Sequence, residues 1–249
     1  MERRFLYPGK TDIWIVPDDV NDENREARLR LLSERERSRY ASYQSREARS
    51  RYLAGRTALK RLLSFYAEVR PDDWSIEADC YGQPSIKQPE WLSFIKIGIS
   101  HAGGVTAFAL TIDDAVGIDV SDRFKENDVS LAPVILSEHE MAAYRATLPA
   151  DRLEFLRDRW TLKEAYTKAL GKGHWIAFDT FAFDHANHSA IRLQHALEIQ
   201  PIRWQFRLFN VGELRLALAV AARAPRPITV EIFELSVAFD AFMPVPGAA

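Results

Sequence analysis

Glu164 and Lys168 stand one helical turn apart in the stretch 159–173, RWTLKEAYTKALGKG, where positions i and i+4 share one helix face. An exposed pair at that spacing is an ordinary ion pair worth about 0.2–0.5 kcal/mol. A second carboxylate upstream changes its meaning. Residues 115–120, AVGIDV, read as a buried strand, yet Asp119 interrupts the apolar run. A buried aspartate needs a cation or hydrogen-bond donors. With one carboxylate at a strand end and the other mid-helix, folding can bring Asp119 and Glu164 to one point. Hard oxygen donors with no Cys or His set nearby suit Mg²⁺, which holds substrate phosphates through one or two carboxylates and neutralises a phosphate leaving group.

The helix that carries Glu164 has an apolar stripe at Leu162, Ala165, Tyr166 and Ala169, spaced to face a core. Trp160, Lys163, Glu164, Thr167 and Lys168 fall on the other face, and Gly171 and Gly173 stop the helix. Upstream, Thr11 to Val16 reads as a strand and 17–24 as a polar turn, followed by two helical stretches that Pro71 closes. Strands are expected at 74–78, 95–101, 105–111 and 115–120, with turns at 81–84 and Asp113-Asp114. Ser137-Glu138-His139-Glu140 has capping-box spacing and predicts a helix running toward Arg145, which Pro149 separates from the central helix. Five further strands are expected at 180–183, 191–194, 203–209, 214–222 and 228–235, with a turn at 210–213. Strand, helices, strands occurs twice. The pattern argues for α+β rather than a doubly wound sheet, in two similar lobes divided near Asp113, 1–113 and 114–249, with no residue-level repeat visible.

The 249 residues carry a formal net charge of −2, and 47% are hydrophobic, enough for a substantial core. No run approaches a membrane span, the first residues lack a signal-type apolar stretch, and Cys80 is the only cysteine. A reduced, cytoplasmic setting is expected, so the glycosylation-type triplet Asn187-His188-Ser189 is discounted. Between Arg25 and Arg61, twelve Arg or Lys face four Glu, so this segment either is a solvated pair of helices or seeks an anion. Nucleic acid is the weaker partner, because the rest of the chain is net acidic and no nucleic-acid motif is present.

GIDV at 117–120 followed by WTLKEAYTKALGKG at 160–173 resembles the two signature motifs of the 4′-phosphopantetheinyl transferases, in particular their larger, monomeric surfactin-type branch. The resemblance extends to Tyr81-Gly82-Gln83-Pro84, to Ser100-His101 and to Tyr52-Leu53-Ala54-Gly55-Arg56. It implies a pseudo-twofold α+β protein, each lobe a small, mostly antiparallel sheet packed with helices, with coenzyme A and Mg²⁺ in the cleft between. It further implies that Asp119 and Glu164 ligate Mg²⁺ on the pyrophosphate and that Lys163 and Lys168 hold phosphate beside Trp160. Arg46, Arg51, Lys60, Ser100 and His101 would bind the adenosine phosphates. The implied reaction moves phosphopantetheine from coenzyme A to a serine of an apo acyl, peptidyl or aryl carrier protein, releasing adenosine 3′,5′-bisphosphate. Glu164, or a metal-held water beside it, would take the serine proton while Lys168 assists the departing phosphate.

Two positions depart from the family pattern. Ser121 stands where many relatives have Glu, so the third metal ligand would be a water held by its hydroxyl, or Asp122 after a local shift. Gln83 stands where relatives often have Lys, which removes a cation but keeps a hydrogen-bond donor. A non-catalytic coenzyme A or carrier-binding protein and a Mg²⁺-dependent phosphohydrolase are the rival readings. Other candidates read as structure: His174 as a complement to the helix C-terminus, Asp184, His185 and His188 as surface, and Trp14, Trp74, Trp91, Trp175 and Trp204 as packing.

Overall fold

A computed structural model describes residues 4–18, 24–112, 114–172, 176–185, 190–194, 203–222 and 227–235. Asp113, Gly173, His174, Trp175, the 187–189 triplet and the side chain of His185 lie outside the described residues. Eleven strands and six α-helices are described: β1 (Lys10–Pro17), α1 (Arg25–Arg30), α2 (Glu34–Ser42), α3 (Arg46–Leu63), β2 (Ser75–Ala78), β3 (Pro84–Gln88), β4 (Ile95–Ala102), β5 (Val105–Ile112), β6 (Ala115–Ser121), α4 (Ala132–Ile135), α5 (Glu138–Ala146), α6 (Arg152–Ala169), β7 (Ala182–His185), β8 (Ile191–Gln194), β9 (Arg203–Val211), β10 (Leu214–Ala222) and β11 (Thr229–Glu234).

The fold is α+β, with one sheet in the order β11-β1-β5-β4 and a second in the order β6-β10-β9. All of these pairings are antiparallel except β1 with β11, which brings the last described strand back to the first sheet. Two small hairpins, β2-β3 and β7-β8, complete the strands. One element series therefore occurs twice: a strand, helices, a small hairpin, and a long hairpin whose second strand pairs with the opening strand.

Strand alternation sorts the apolar side chains into layers. Ile13 and Ile15 of β1 and Ala107 and Ala109 of β5 pack against Val116, Ile118, Val120, Leu216 and Leu218, so the two sheets meet face to face. Trp14, Val16, Phe108 and Leu110 point the other way, onto Leu59, Leu62 and Leu63 of α3. On the far side, α6 lays Leu162, Ala165, Tyr166 and Ala169 on Phe206, Ala217 and Ala219. Gly117 permits this approach, since a Cβ there would sit 2.0 Å from the carbonyl oxygen of Ala165. Gly171, at φ +69°, lies just past the end of α6.

The face of α6 opposite the stripe is not solvated, as its polar pattern suggests; Arg157, Asp158, Arg159, Lys163 and Glu164 are also buried. Two copies of one polar cluster explain much of this. Ser33 caps α2 in a capping box with Glu36, and Ser137 caps α5 in a capping box with Glu140. Each glutamate also accepts from a strand amide, Glu36 from Ile76 N at 3.3 Å and Glu140 from Phe183 N at 2.9 Å. Lys60 of α3 and Lys163 of α6 then each place an ammonium 2.5 Å from the glutamate. Arg56 and Arg159, four residues before each lysine, lie 3.8 and 3.5 Å from the same two carboxylates. The sequence does carry a residue-level repeat, Leu-Ser-Glu-x-Glu at 32–36 and 136–140 followed by Arg-x-x-Leu-Lys at 56–60 and 159–163, which hydrophobic periodicity alone passes over.

Candidate functional site

Beyond Val116, Ile118 and Val120, the odd-numbered positions of β6 face α6: Gly117 meets its backbone, Asp119 meets Lys168 and Ser121 meets Thr161. Asp119 is 5% exposed. Its Oδ1 accepts from Lys168 Nζ at 2.7 Å and from Ser100 Oγ at 2.8 Å, and Ser100 Oγ in turn accepts from Val120 N at 3.2 Å. Burial pushes the Asp119 carboxyl above the usual carboxylate range, with Lys168, Ser100 and the Val120 amide opposing. Its Oδ2 is buried without a hydrogen-bond partner. A carboxylate oxygen in that state is a ready hard ligand for a divalent cation, so the donor chemistry fits Mg²⁺.

Lys168 links this cluster to a cavity of about 910 Å³ that it lines together with Glu164, His101, Gln83 and Gly171. Glu164 is 3% exposed. The cavity runs outward between α2, α3 and the turn at Asp79–Gln83, where Arg35, Arg39, Arg56, Tyr43, Tyr52 and the exposed Cys80 face it. Asp79 Oδ1 accepts from the amides of Tyr81 and Gln83, both at 2.9 Å, and this holds the turn that carries Gln83. His101 closes the opposite side, its Nδ1 2.8 Å from Thr106 Oγ1. The residue is exposed, but desolvation by the surrounding wall pushes the imidazole below its ordinary range; Asp18 opposes, and Lys168 and Arg51 push the same way.

The expected site residues separate into two groups. Glu164, Lys168, His101 and Gln83 line the cavity, and Lys168 ties Asp119 and Ser100 to its wall. Lys60 and Lys163 do not, and the expectation that they hold phosphate gives way to a structural role. Both are fully buried, and desolvation lowers both below the usual lysine range against the pull of Glu36 and Glu140. Lys163 Nζ donates to Glu140 and to the carbonyls of Ile135, Phe178 and Phe181, so no proton is left for a ligand, while Lys60 Nζ donates to Glu36 and the carbonyl of Leu31 at a fully buried position.

Ser121 Oγ lies 2.7 Å from Thr161 Oγ1, whose own proton goes to the carbonyl of Arg157, so Ser121 donates there. Asp122 is exposed, beside the Gly103 turn. Trp160 packs edge-on against Phe178 at 5.5 Å, inside an aromatic cluster. Arg46 is exposed on the first turn of α3, and Arg51, 46% exposed, pairs with Glu47 at 2.7 Å. Trp91 is 66% exposed, unlike buried Trp14 and Trp74, so the packing expectation does not hold for it. No group of three or more His, Cys, Asp or Glu arranged to hold a metal occurs among the described residues. No described helix is long and apolar enough to cross a membrane.

A strand-borne carboxylate thus meets a helix-borne lysine at a cavity that Glu164 lines and that has arginines on its rim. Residues 115–221, which hold β6, α6 and the β9-β10 hairpin, match the family profile described as the 4′-phosphopantetheinyl transferase superfamily. Over those residues the chain is similar to that superfamily. It is 26% identical over 169 residues to the 4′-phosphopantetheinyl transferase HetI of Nostoc sp., covering 68% of this chain and 71% of that protein. It is 24% identical over 169 residues to the 4′-phosphopantetheinyl transferase gsp of Aneurinibacillus migulanus, covering 68% of each chain. Among solved structures, a holo-(acyl-carrier-protein) synthase of Bacillus anthracis in complex with CoA aligns with a TM-score of 0.39 at 21% identity, over 44% of this chain and 96% of that one.

Proposed function

We propose that this protein transfers 4′-phosphopantetheine from coenzyme A to a serine hydroxyl of an apo carrier protein, releasing adenosine 3′,5′-bisphosphate. The observation that carries the reading is the Asp119–Lys168 contact at 2.7 Å on the cavity lined by Glu164. In this reading Asp119 and Glu164 hold Mg²⁺, with Ser121 beside them; when bound, the ion neutralises charge on the pyrophosphate. Lys168 lies on the bridging phosphate and stabilises the leaving group, while Ser100, His101 and Gln83 orient the phosphates. Glu164 takes the proton of the attacking serine hydroxyl as the serine O–P bond forms and the P–O bond to the bisphosphate breaks. Arg46 and Arg51 of α3 give the distal phosphate an attractive field, and Trp160 packs α6 against Phe178 beside the site.

The protein acts as a cytoplasmic monomer in this reading, with coenzyme A and a carrier protein as partners and neither nucleic acid nor membrane. Its two lobes, 1–113 and 114–249, take complementary parts, the first supplying the basic wall and the second the carboxylates and α6. The repeated element series supports that division.

Mass spectrometry of an apo carrier incubated with the protein, coenzyme A and Mg²⁺ tests the proposal. A mass gain of one phosphopantetheine is expected, lost in Glu164→Gln while the fold is retained. A carrier that binds without gaining mass would make the protein a binding module, and release of phosphopantetheine without a carrier would make it a phosphohydrolase.

A further inference from the structure

Thr106 and Asp18 have no part in the roles above. Thr106 lies on β5, buried, and Asp18 follows the end of β1. Thr106 Oγ1 donates its only proton to Asp18 Oδ1 at 2.6 Å, a direction fixed because an ionised carboxylate has no proton to give. The same oxygen lies 2.8 Å from His101 Nδ1. With its proton spent, it can only accept there, so Nδ1 carries hydrogen in the neutral ring as well as in the charged one. Nε2 then bears a lone pair whenever His101 is neutral. It makes no hydrogen bond among the described residues, and the ring lines the cavity.

A phosphate oxygen is an acceptor, and two acceptors repel. A histidine free to choose its tautomer would meet phosphate with an Nε2–H at no cost in protons, whereas this one cannot. We infer that Thr106 and Asp18 are positioning residues that lock His101 in the Nδ1–H tautomer and thereby make phosphate binding in this cavity conditional on uptake of one proton at His101 Nε2. The charged groups facing the ring are Asp18 from the end of β1, Lys168 from α6 and Arg51 from α3. Asp18 favours the imidazolium through the relay, and the two cations disfavour it until an anion arrives between them. The inference rests on the cavity being the coenzyme A site.

Two measurements test it on the full chain. Long-range ¹H–¹⁵N spectra should show Nδ1–H in the wild type and a shift toward Nε2–H in Thr106→Val, a near-isosteric change that removes the acceptor. Calorimetry of coenzyme A in buffers of different ionisation enthalpy, between about pH 5.5 and 8.5, should show about one more proton taken up by the wild type than by Thr106→Val. Asp18→Asn should move both readouts in the same direction, by less. A ring still in the Nδ1–H form in Thr106→Val, or equal proton uptake by the two proteins, would overturn the relay. If inorganic pyrophosphate titrates as described while coenzyme A binds at no pH, the relay stands and the coenzyme A reading falls.

Discussion

The ammonium of Lys168 lies 2.7 Å from Oδ1 of Asp119 and 3.1 Å from Ser100 Oγ, and it spans from a buried strand to the cavity wall. It is the counter-ion that lets a carboxylate survive at that depth. A divalent ion on the unpartnered Oδ2 would share the carboxylate with it. Lys168→Met is therefore expected to lower the metal-free protein's stability by about 2 kcal/mol. The same variant should bind Mn²⁺ more tightly than the wild type in the absence of coenzyme A, by calorimetry or Mn²⁺ electron paramagnetic resonance, and turn over more slowly. Weaker Mn²⁺ binding by the variant would show that the ammonium does not compete for this carboxylate.

Lys163 gives the opposite pattern. Its ammonium is enclosed by Glu140 and three carbonyls, so Lys163→Met leaves the buried carboxylate with Arg159 at 3.5 Å as its remaining cation, at a cost of about 3 kcal/mol. Lys60→Met should behave alike on Glu36. In urea denaturation the double change Glu140→Leu with Lys163→Met should be milder than Lys163→Met alone, because the carboxylate leaves with the ammonium and Arg159, which loses Glu140, still has Asp158 and Asp184 nearby. The Michaelis constant for coenzyme A of folded Lys163→Met should stay within about twofold of the wild type. A large rise would return Lys163 to the phosphate site.

How much of this was legible in the sequence depends on the kind of residue. Element types along β1, β4 to β6, α5 and β8 to β11 follow from periodicity and capping, and Asp119 stands out because it breaks an apolar run. The hairpin strand β3 and the break between α1 and α2 go unread: β3 is only five residues long, and Ser33, which caps α2, sits between Leu29, Leu31 and Leu32 on one side and Tyr40 on the other, which read as one helical stretch. Lys60 and Lys163 look identical to surface cations, because a lysine's burial depends on its partner, and each partner lies more than twenty residues upstream. Of the two capping boxes only Ser137–Glu140 is read from the sequence, and it places that glutamate at a helix N-terminus without showing which lysine reaches it. Thr106 and Asp18 carried no such signal, as their contact joins β5 to the end of β1.

His101 makes acid sensitivity testable. Its folded value lies below that of a free imidazole, so the unfolded chain binds the proton first as pH falls. The stability that His101 contributes is fully present above about pH 6.5 and declines as pH drops through the window down to the folded value. Denaturation midpoints of the wild type should therefore fall on the acid side of neutrality more steeply than those of His101→Phe. Parallel pH profiles would place the imidazole in an environment no different from water.

Gly117 tests the close approach of α6 to the strand that carries Asp119. A methyl group there would stand 2.0 Å from Ala165 O, 2.5 Å from Ala169 N and 3.0 Å from Ala169 Cβ, contacts that only a displacement of α6 relieves. All three contacts are to helix backbone or to a Cβ, so no side chain can swing aside. Gly117→Ala is expected to cost about 3 kcal/mol or more. Because α6 carries Glu164 and Lys168 while β6 carries Asp119, the shift moves both helix residues away from the strand carboxylate. Divalent-ion affinity and turnover should fall together in whatever fraction stays folded, at a temperature where circular dichroism shows native helix content. Gly98→Ala is the control, its Cβ meeting the Ile118 side chain at 3.2 Å and its amide at 3.3 Å on the face away from α6. That variant should lose less stability and keep its ion affinity; equal losses in the two would mean that the approach of α6 to β6 does not set the geometry of the site.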